Sequence, residues 1–407
     1  MTNSLIFLKD ESGVALVTGL VILVLLTAIG TYAINMTEID QSLSANLKTS
    51  KQAFYVADAG IEWGRQQVRA STAIPPLPAN STQPLSMDTN TVPGTYTVSF
   101  TITPTTPAFE YTVAVQSVGT VGNASKTVQA VVTKTYDLSD SAITLRGNEA
   151  DSSFTGNAFS VDGRDYDHVT GALTGGTTQY GITVPSQALK TVVDNALSSQ
   201  QKDNVIGTGG TGTTASIGVS TALPSSTVTS LGDALCNAAP AANKFNTPNN
   251  GSFSISGNNT WGTRASPQIY CVTGVGTPGN MSMDVHGNFS GAGVLVVQSA
   301  DLVINGAFHF EGLIIVTGQK VGFGLLGGGN KDIYGSVIIN ETGSDGAAIR
   351  MEELQGMEEE LQGAAHVLYS RSALNIARQL MPADALSSVI GTLPSTVQQV
   401  SWSEVNK

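Results

Sequence analysis

Residues 13–37 read GVALVTGLVILVLLTAIGTYAINMT, and no charged side chain occurs between Glu11 and Glu38. A helix needs about 20 apolar residues to cross a bilayer, whereas the apolar core of a secretory signal runs only about 7–15. The stretch is therefore predicted to be a membrane-spanning helix over 14–37. Ahead of it stand the charged stub Lys9-Asp10-Glu11 and the small pair Ser12-Gly13. A peptidase on the cytoplasmic side that cut after Gly13 would leave the apolar helix on the mature chain.

The helix does not stop at the membrane. From Glu38 to about Ser71 there is no proline, and apolar residues recur at Ile39, Leu43, Leu47, Phe54, Ala57, Ile61 and Val68, close to the 3.6-residue helical period. Breakers return with Ser71-Thr72 and Pro75-Pro76. One helix from about Val14 to Ala70 is predicted, on the order of 85 Å long. Its first half is apolar all round and its second half amphipathic, as suits a rod that spans a membrane and then lays one stripe on a globular head.

These residues resemble a known family. Gly13 before a charge-free helix, then ALVTGLVILVLLTAIGTYAI (15–34) and ANLKTSKQAFYVADAGIEWG (45–64), are similar to the N-terminal region of the PilX-type minor pilins of type IV pili. Ala53, Phe54, Ala57, Ala59 and Gly60 fall on that family's Ala-Phe-x-x-Ala-x-Ala-like stretch. The resemblance covers the first 70 or so residues. It implies cleavage by prepilin peptidase after Gly13, N-methylation of Val14, residence in a bacterial inner membrane with the N-terminus cytoplasmic, and extraction into a filament beside other pilins, with the head outside the cytoplasm. One departure bears on the role. Most major pilins carry Phe at the first mature position and Glu at the fifth, where this chain has Val14 and Thr18. The change disfavours a major shaft subunit and leaves a minor pilin that primes, caps or decorates a pilus or presents its head for adhesion; a K-type-like pseudopilin of type II secretion shares the same anchor.

Beyond the helix the pattern changes to period two. TYTVSFTITPT (95–105), FEYTVAVQSVGTV (109–121) and ASKTVQAVVTKTY (124–136) alternate apolar and polar residues and are separated by Pro, Gly and Asn. They predict a three-stranded antiparallel meander with one face on the helix. Further on, MDVHGNFSGAGVLVVQSAD (283–301) aligns without a gap on LVINGAFHFEGLIIVTGQK (302–320), matching Gly287 to Gly306, Phe289 to Phe308 and Gly293 to Gly312. A degenerate third copy puts Gly335 in the Gly293 role after a four-residue insertion in GFGLLGGGN. A 19-residue unit of two short strands and turn glycines is the size of one solenoid coil. SAITLRGNEADSSFTGNAFSVDG (141–163) and SFSISGNNTWG (252–262) share its texture. Helices are expected over 186–201 and from Met351 to Leu380.

The fold class read from these patterns is α+β, mainly β. The domains are a leader over 1–13, the pilin-like helix over 14–72, the meander over 73–137, and a Gly-rich β-helix or β-roll-like head over 138–407, with a β-sandwich head as the alternative.

Composition agrees. Of 407 residues only 12% are charged, 41% are apolar and 44 are Gly. The 19 basic and 31 acidic residues give a net charge of −12, and without clustered Lys and Arg there is no phosphate-binding surface, so nucleic acid is not an expected partner. The only two cysteines, Cys236 and Cys271, suit one disulfide in an exported head, worth roughly 4 kcal/mol in the chain-entropy model. Asp162, Asp165 and Asp167 gather three carboxylates in six residues and are a candidate Ca²⁺ site, but their 1-4-6 spacing lacks the EF-hand 1-3-5 pattern and a closing Glu, and aspartates also build turns by themselves. No other cofactor is expected. Gly322, Gly324 and Gly327 spell a dinucleotide fingerprint without the helix that it needs. His286 and His309 sit in equivalent rungs and are candidates for neighbours. The repeat supplies only Asp284, Asp301, Glu311 and Lys320 as charges, and no nucleophile or metalloprotease motif occurs, so no catalytic residues are assigned and a non-enzymatic subunit is expected. A membrane-anchored carbohydrate-binding or carbohydrate-active head is the alternative from another class.

Overall fold

A computed structural model describes residues 12–71, 80–85, 94–104, 110–147, 150–343, 347–352, 364–382, 389 and 392–405. Its first element is a single helix, α1 (Ser12–Ala70), of 59 residues, about 88 Å at 1.5 Å per residue. Leu16 to Leu47 are exposed, and burial begins only where α1 meets the sheet, through Ala53, Val56, Ala57, Ile61 and Val68. The amphipathic stripe expected from Ile39 onward is therefore half as long as the periodicity suggests: Ile39, Leu43 and Leu47 remain uncovered.

The sheet under α1 contains the expected meander, Gly94–Pro104, Glu110–Val121 and Ala124–Tyr136, paired antiparallel in sequence order. Glu110–Val121 alternates strictly between buried and half-buried residues, with Tyr111, Val113, Val115, Ser117 and Val121 turned inward, as a sheet covered on one face requires. Helix and sheet approach closely because glycines lie on both sides. A Cβ on Gly60 would stand 2.2 Å from Ser117 Oγ, and one on Gly119 would stand 2.3 Å from the Ala53 carbonyl oxygen. Lys134 Nζ donates to the carbonyls of Val68 (2.8 Å), Arg69 (3.0 Å) and Ser71 (2.7 Å), closing the last turn of α1 with a cation where the helix dipole favours one.

Two more strands complete this sheet. Ser81–Leu85 adds to its first edge, and Ser395–Val405 pairs antiparallel with Ala124–Tyr136 at the other. The second pairing corrects the linear boundary at residue 137: the C-terminal strand belongs structurally to the helix and meander, because strand pairing joins segments without regard to their separation along the chain.

The head is built from parallel pairs. Asn288–Gln298 pairs with Ala307–Gly318 at a constant offset of 19 residues, so Phe289 faces Phe308 and Gly293 faces Gly312. The same offset joins Ser282–Val285 to Asp301–Ile304. The 19-residue repeat is thus the register of the coils. In the third coil Gly312 faces Gly335, as the alignment expects, and the insertion divides: Leu302 pairs with Phe323, 21 residues on, and Phe308 with Lys331, 23 on. Parallel pairing throughout these coils replaces the sandwich alternative, which needs antiparallel hairpins.

The three long strands turn at stacked glycines. Gly293, Gly312 and Gly335 have φ of 126°, 138° and 135°, and a Cβ on Gly312 would lie 2.0 Å from the Gly293 carbonyl oxygen. Only glycine tolerates both the backbone angle and the approach.

Chain order and coil order differ. The head's first coil, Ser141–Arg146, Ala150–Thr155 and Phe159–Asp162, stacks on its last, Lys331–Glu341, Ala347–Glu352 and Ala365–Tyr369, by three parallel pairings. The chain continues through Tyr180–Val184, α2 (Gln187–Ala196) and Ile217–Val219, and α3 (Ser225–Ala238) then carries it across the sheet to start the repeat coils from the far side. Ser186 caps α2 by accepting from the Leu189 amide at 3.3 Å.

The helix expected over 351–380 is corrected in part. Among the described residues, 347–352 and 365–369 are strands, and α4 (Arg371–Gln379), capped by Ser370, is the helical part. Glu358, Glu359 and Glu360 fall outside the described residues. The apolar run Val367–Tyr369 is too short to distinguish a buried strand from a helical turn by periodicity.

Candidate functional sites in the anchor helix and the head

The apolar residues in the N-terminal half of α1 are exposed. Leu16, Leu20, Leu23, Leu26 and Ile29 are each more than 60% exposed. Three hydroxyls of this half bond within the helix: Thr27, Thr31 and Thr37 donate to the carbonyls four residues back, Leu23 (2.7 Å), Thr27 (2.8 Å) and Ala33 (2.8 Å). A hydroxyl bound in this way is compatible with hydrocarbon or a packed helix bundle. The apolar helix is long enough to cross a membrane. Gly13 and Val14 lie in its first turn, and Thr18, at the fifth position after Gly13, is on its exposed surface.

In the head, Cys236 at the end of α3 is bonded to Cys271 in Gln268–Thr273, with Cα atoms 5.2 Å apart. The bond ties the crossover helix to the strands it spans. The three aspartates offered as a calcium site have separate partners. Asp162 receives Arg164 through Nε (3.0 Å) and the Tyr166 hydroxyl (2.7 Å). Asp165 receives Thr174 Oγ1 (2.8 Å) and the Arg371 amide (2.8 Å). Asp167 receives the amides of Val169 (2.9 Å) and Thr170 (2.8 Å), a turn closed on itself. Among the described residues no three carboxylate, His or Cys groups converge as for a metal; Asp162 and Asp167 bond within their own loop, and Asp165 reaches Thr174 and the start of α4.

His286 and His309 do not meet. The register sets His309 opposite Ser290, and His309 joins a cluster that the linear sequence does not show. Glu311, 3% exposed, accepts from Arg264 Nε (2.7 Å) and Nη2 (2.5 Å) and lies 2.8 Å from His309 Nε2. His168 Nδ1 lies 2.7 Å from Ser372 Oγ on α4, while its Nε2 is 4.0 Å from Glu311. Burial pushes the Glu311 carboxyl up, but hydrogen bonds from His309 and Arg264 and their charges together outweigh it and hold the group at about 2. Burial also lowers the His168 imidazole below its ordinary value, against the pull of Glu311. A serine, a histidine and a glutamate lie in one row, but Glu311 is engaged by Arg264 and stands beyond hydrogen-bond reach of His168. The row clamps the loop after Asp162 and the start of α4 onto the repeat sheet.

A second buried clamp joins the head to the meander. Asp137, at the end of the third meander strand, pairs with Arg378 Nη2 (3.0 Å) and Arg371 Nε (3.2 Å), and Arg378 also donates to the Tyr136 carbonyl. Neither cluster has a sequence signature, since its members lie up to 242 residues apart.

The N-terminal part of the chain is thus a long helix, exposed and apolar at its start and seated on an antiparallel sheet at its end. Residues 12–62 match the family described as PilX N-terminal, and the chain accordingly carries a PilX-type N-terminal region. Among solved structures, the competence-associated pilin ComZ from Thermus thermophilus aligns over 88% of this chain and 98% of that chain, at 14% identity and a TM-score of 0.23. That superposition is too loose to inform the head. No curated protein matches the sequence.

Proposed function

We propose that this protein is a minor subunit of a type IV pilus, a structural rather than catalytic component whose N-terminal helix packs among those of other pilins and whose coiled β head is displayed outside the cytoplasm. The observation that carries the reading is the division of α1: among the described residues its apolar side chains from Leu16 to Leu47 are exposed, while its continuation from Ala53 to Val68 is packed on the sheet. Two environments suit the bare half, the bilayer before assembly and neighbouring apolar helices after it. Prepilin peptidase would cut after Gly13, and Val14 would become the methylated N-terminus. Thr18 supplies no carboxylate to neutralise that amine or a neighbour's, and a lone buried charge is costly, which favours a tip or sparse position over the repeating shaft.

N-terminal mass spectrometry of sheared filaments and membranes tests this. The expected mature start is N-methyl-Val14; an intact Met1 in both fractions overturns the processing step. Replacing Gly13 is expected to block maturation, and mature-length protein persisting in that variant would refute the assigned cleavage site.

A further inference from the structure

The two ends of the coiled head are finished differently. At one end α2 packs over Ala150–Thr155, Tyr180–Val184 and Ile217–Val219. At the other, Ser252–Ile255 pairs with Ser282–Val285, and Asn258–Trp261 pairs with the start of Asn288–Gln298. Among the described residues neither strand has a further strand on its outer side, so their outward amides and carbonyls form an open ladder on which another strand can add. The side chains beneath show the same asymmetry. The register lines up Phe253, Met283, Leu302, Phe323, Ile349 and Ser152 in one column. Its four inner members are at most 1% exposed. The column closes on a serine at the end that α2 covers and on a half-buried phenylalanine, Phe253, at the open end.

Sheet edges in the meander carry guards against pairing. Pro84 stands in Ser81–Leu85, and Ser395–Val405 has a bulge between Gln399 and Ser401 and an ion pair from Glu404 to Lys126 at 2.7 Å. Residues 252–261 have no proline and an unbroken register, and residues 245–263 include no charge. Polar ladders run along the coils and stop at this edge: Ser252 Oγ meets Ser282 Oγ at 2.7 Å, Asn258 Oδ1 accepts from Asn288 at 2.9 Å, and Thr260 Oγ1 meets Ser290 Oγ at 3.1 Å. Hydroxyls and a carboxamide both donate and accept, so the complement of this neutral edge is an edge of the same kind. A glycine column ends here too. A Cβ on Gly306 would lie 2.1 Å from the Gly287 carbonyl oxygen and one on Gly287 2.6 Å from that of Gly257, whereas Gly257 itself faces open space. In a chain of net charge −12, this uncharged stretch lets two copies approach without setting like charges opposite each other. With α2 over the far end, a copy meets the edge by its own equivalent edge, and the contact closes as a pair instead of growing into a fibre.

We infer that two copies of this chain join end to end through the open coil edge at 252–261, about a two-fold axis, with Phe253 of each copy covered by the other. The inference goes beyond the pilus role proposed above and does not rest on it, because cleavage at Gly13 and filament incorporation do not enter the readout.

Full-length protein in detergent micelles is followed by analytical ultracentrifugation and by hydrogen exchange over a range of protein concentrations. A dimer is expected to form with concentration, and exchange along 252–261 is expected to slow with it while exchange in α2 stays the same. Ser254 and Thr260 are exposed on this edge. Replacing both by Lys is expected to raise the dimer dissociation constant about tenfold or more, and replacing both by Glu to do the same. An equimolar mixture of the Lys and Glu variants is expected to pair again, which two misfolded edges could not do. A protein that stays monomeric overturns the inference. So does a dimer that leaves exchange along 252–261 unchanged, the signature of association through α1, and so do Lys and Glu variants that each dimerise like the wild type.

Discussion

The molecule contains two β regions built on opposite rules. In the meander, residues alternate between buried and half-buried along Glu110–Val121 because α1 covers one face. In the head, Val294–Val297 and Leu313–Val316 are continuously buried, because the strands are covered on both sides. The two regions also use glycine differently. Gly122, in the turn between two meander strands, has φ of 56° and open space around it, whereas Gly312 has φ of 138° and the Gly293 carbonyl behind it. In the first region a glycine serves a turn; in the second it permits one coil to lie on the next.

Matched substitutions sharpen the contrast. Gly312→Ala is expected to cost more than about 4 kcal/mol or to prevent the head from folding, since an added Cβ meets backbone that cannot withdraw. Gly122→Ala is expected to cost about 1–2 kcal/mol, the strain of the left-handed backbone alone. Chemical denaturation of both variants checks the pair; equal losses would show that contact between coils is not what fixes Gly312.

The next effect is electrostatic and belongs to the head. The Glu311 carboxyl is held at about 2 against an ordinary value of 4.5. Its contribution to stability is therefore complete above about pH 4.5 and is lost as the pH falls toward 2, when the folded state must take up a proton that the unfolded state has already bound. The loss is on the order of 2–3 kcal/mol. Denaturation midpoints measured from pH 5 to pH 2 are expected to fall less steeply for Glu311→Gln than for the wild type; parallel curves would show that Glu311 is not the group responsible.

The smallest effect lies in the meander. Trp402 on the C-terminal strand is 42% exposed, sets its ring edge-on to Phe54 at 5.9 Å, and donates from Nε1 to Asp58 at 3.2 Å. Trp402→Ala is expected to cost about 1 kcal/mol and to raise hydrogen exchange along Ser395–Val405 without changing it in the head. Loss of protection throughout the head would mean that the two regions unfold as one unit.

Much of the architecture is legible in consecutive residues. The charge-free run ahead of Glu38 and the proline-free stretch beyond it specify α1, the period-two runs specify three of the five meander strands, and the ungapped 19-residue repeat specifies the coil register residue for residue. The candidate sites are far less legible. Glu311 stands in the repeat as one of four scattered charges, and nothing near it announces Arg264, 47 residues earlier, or His168. Arg146 and Glu341 come to line one pocket because the first coil stacks on the last, an order that is not the chain's order. The aspartates at 162, 165 and 167 teach the opposite lesson: close in sequence, they turn to separate partners.

The sequence by itself determined three features that rest on local repetition: the length and apolarity of the anchor helix, the alternation of the meander, and the 19-residue pitch of the head. These are periodic properties, and a period is written in consecutive residues. Only the tertiary structure decided which strand closes each sheet edge, where the first coil of the head sits, and which buried charges find partners. Those outcomes rest on contacts between segments tens to hundreds of residues apart, where the free energy comes from burying surfaces that no local pattern assigns to each other.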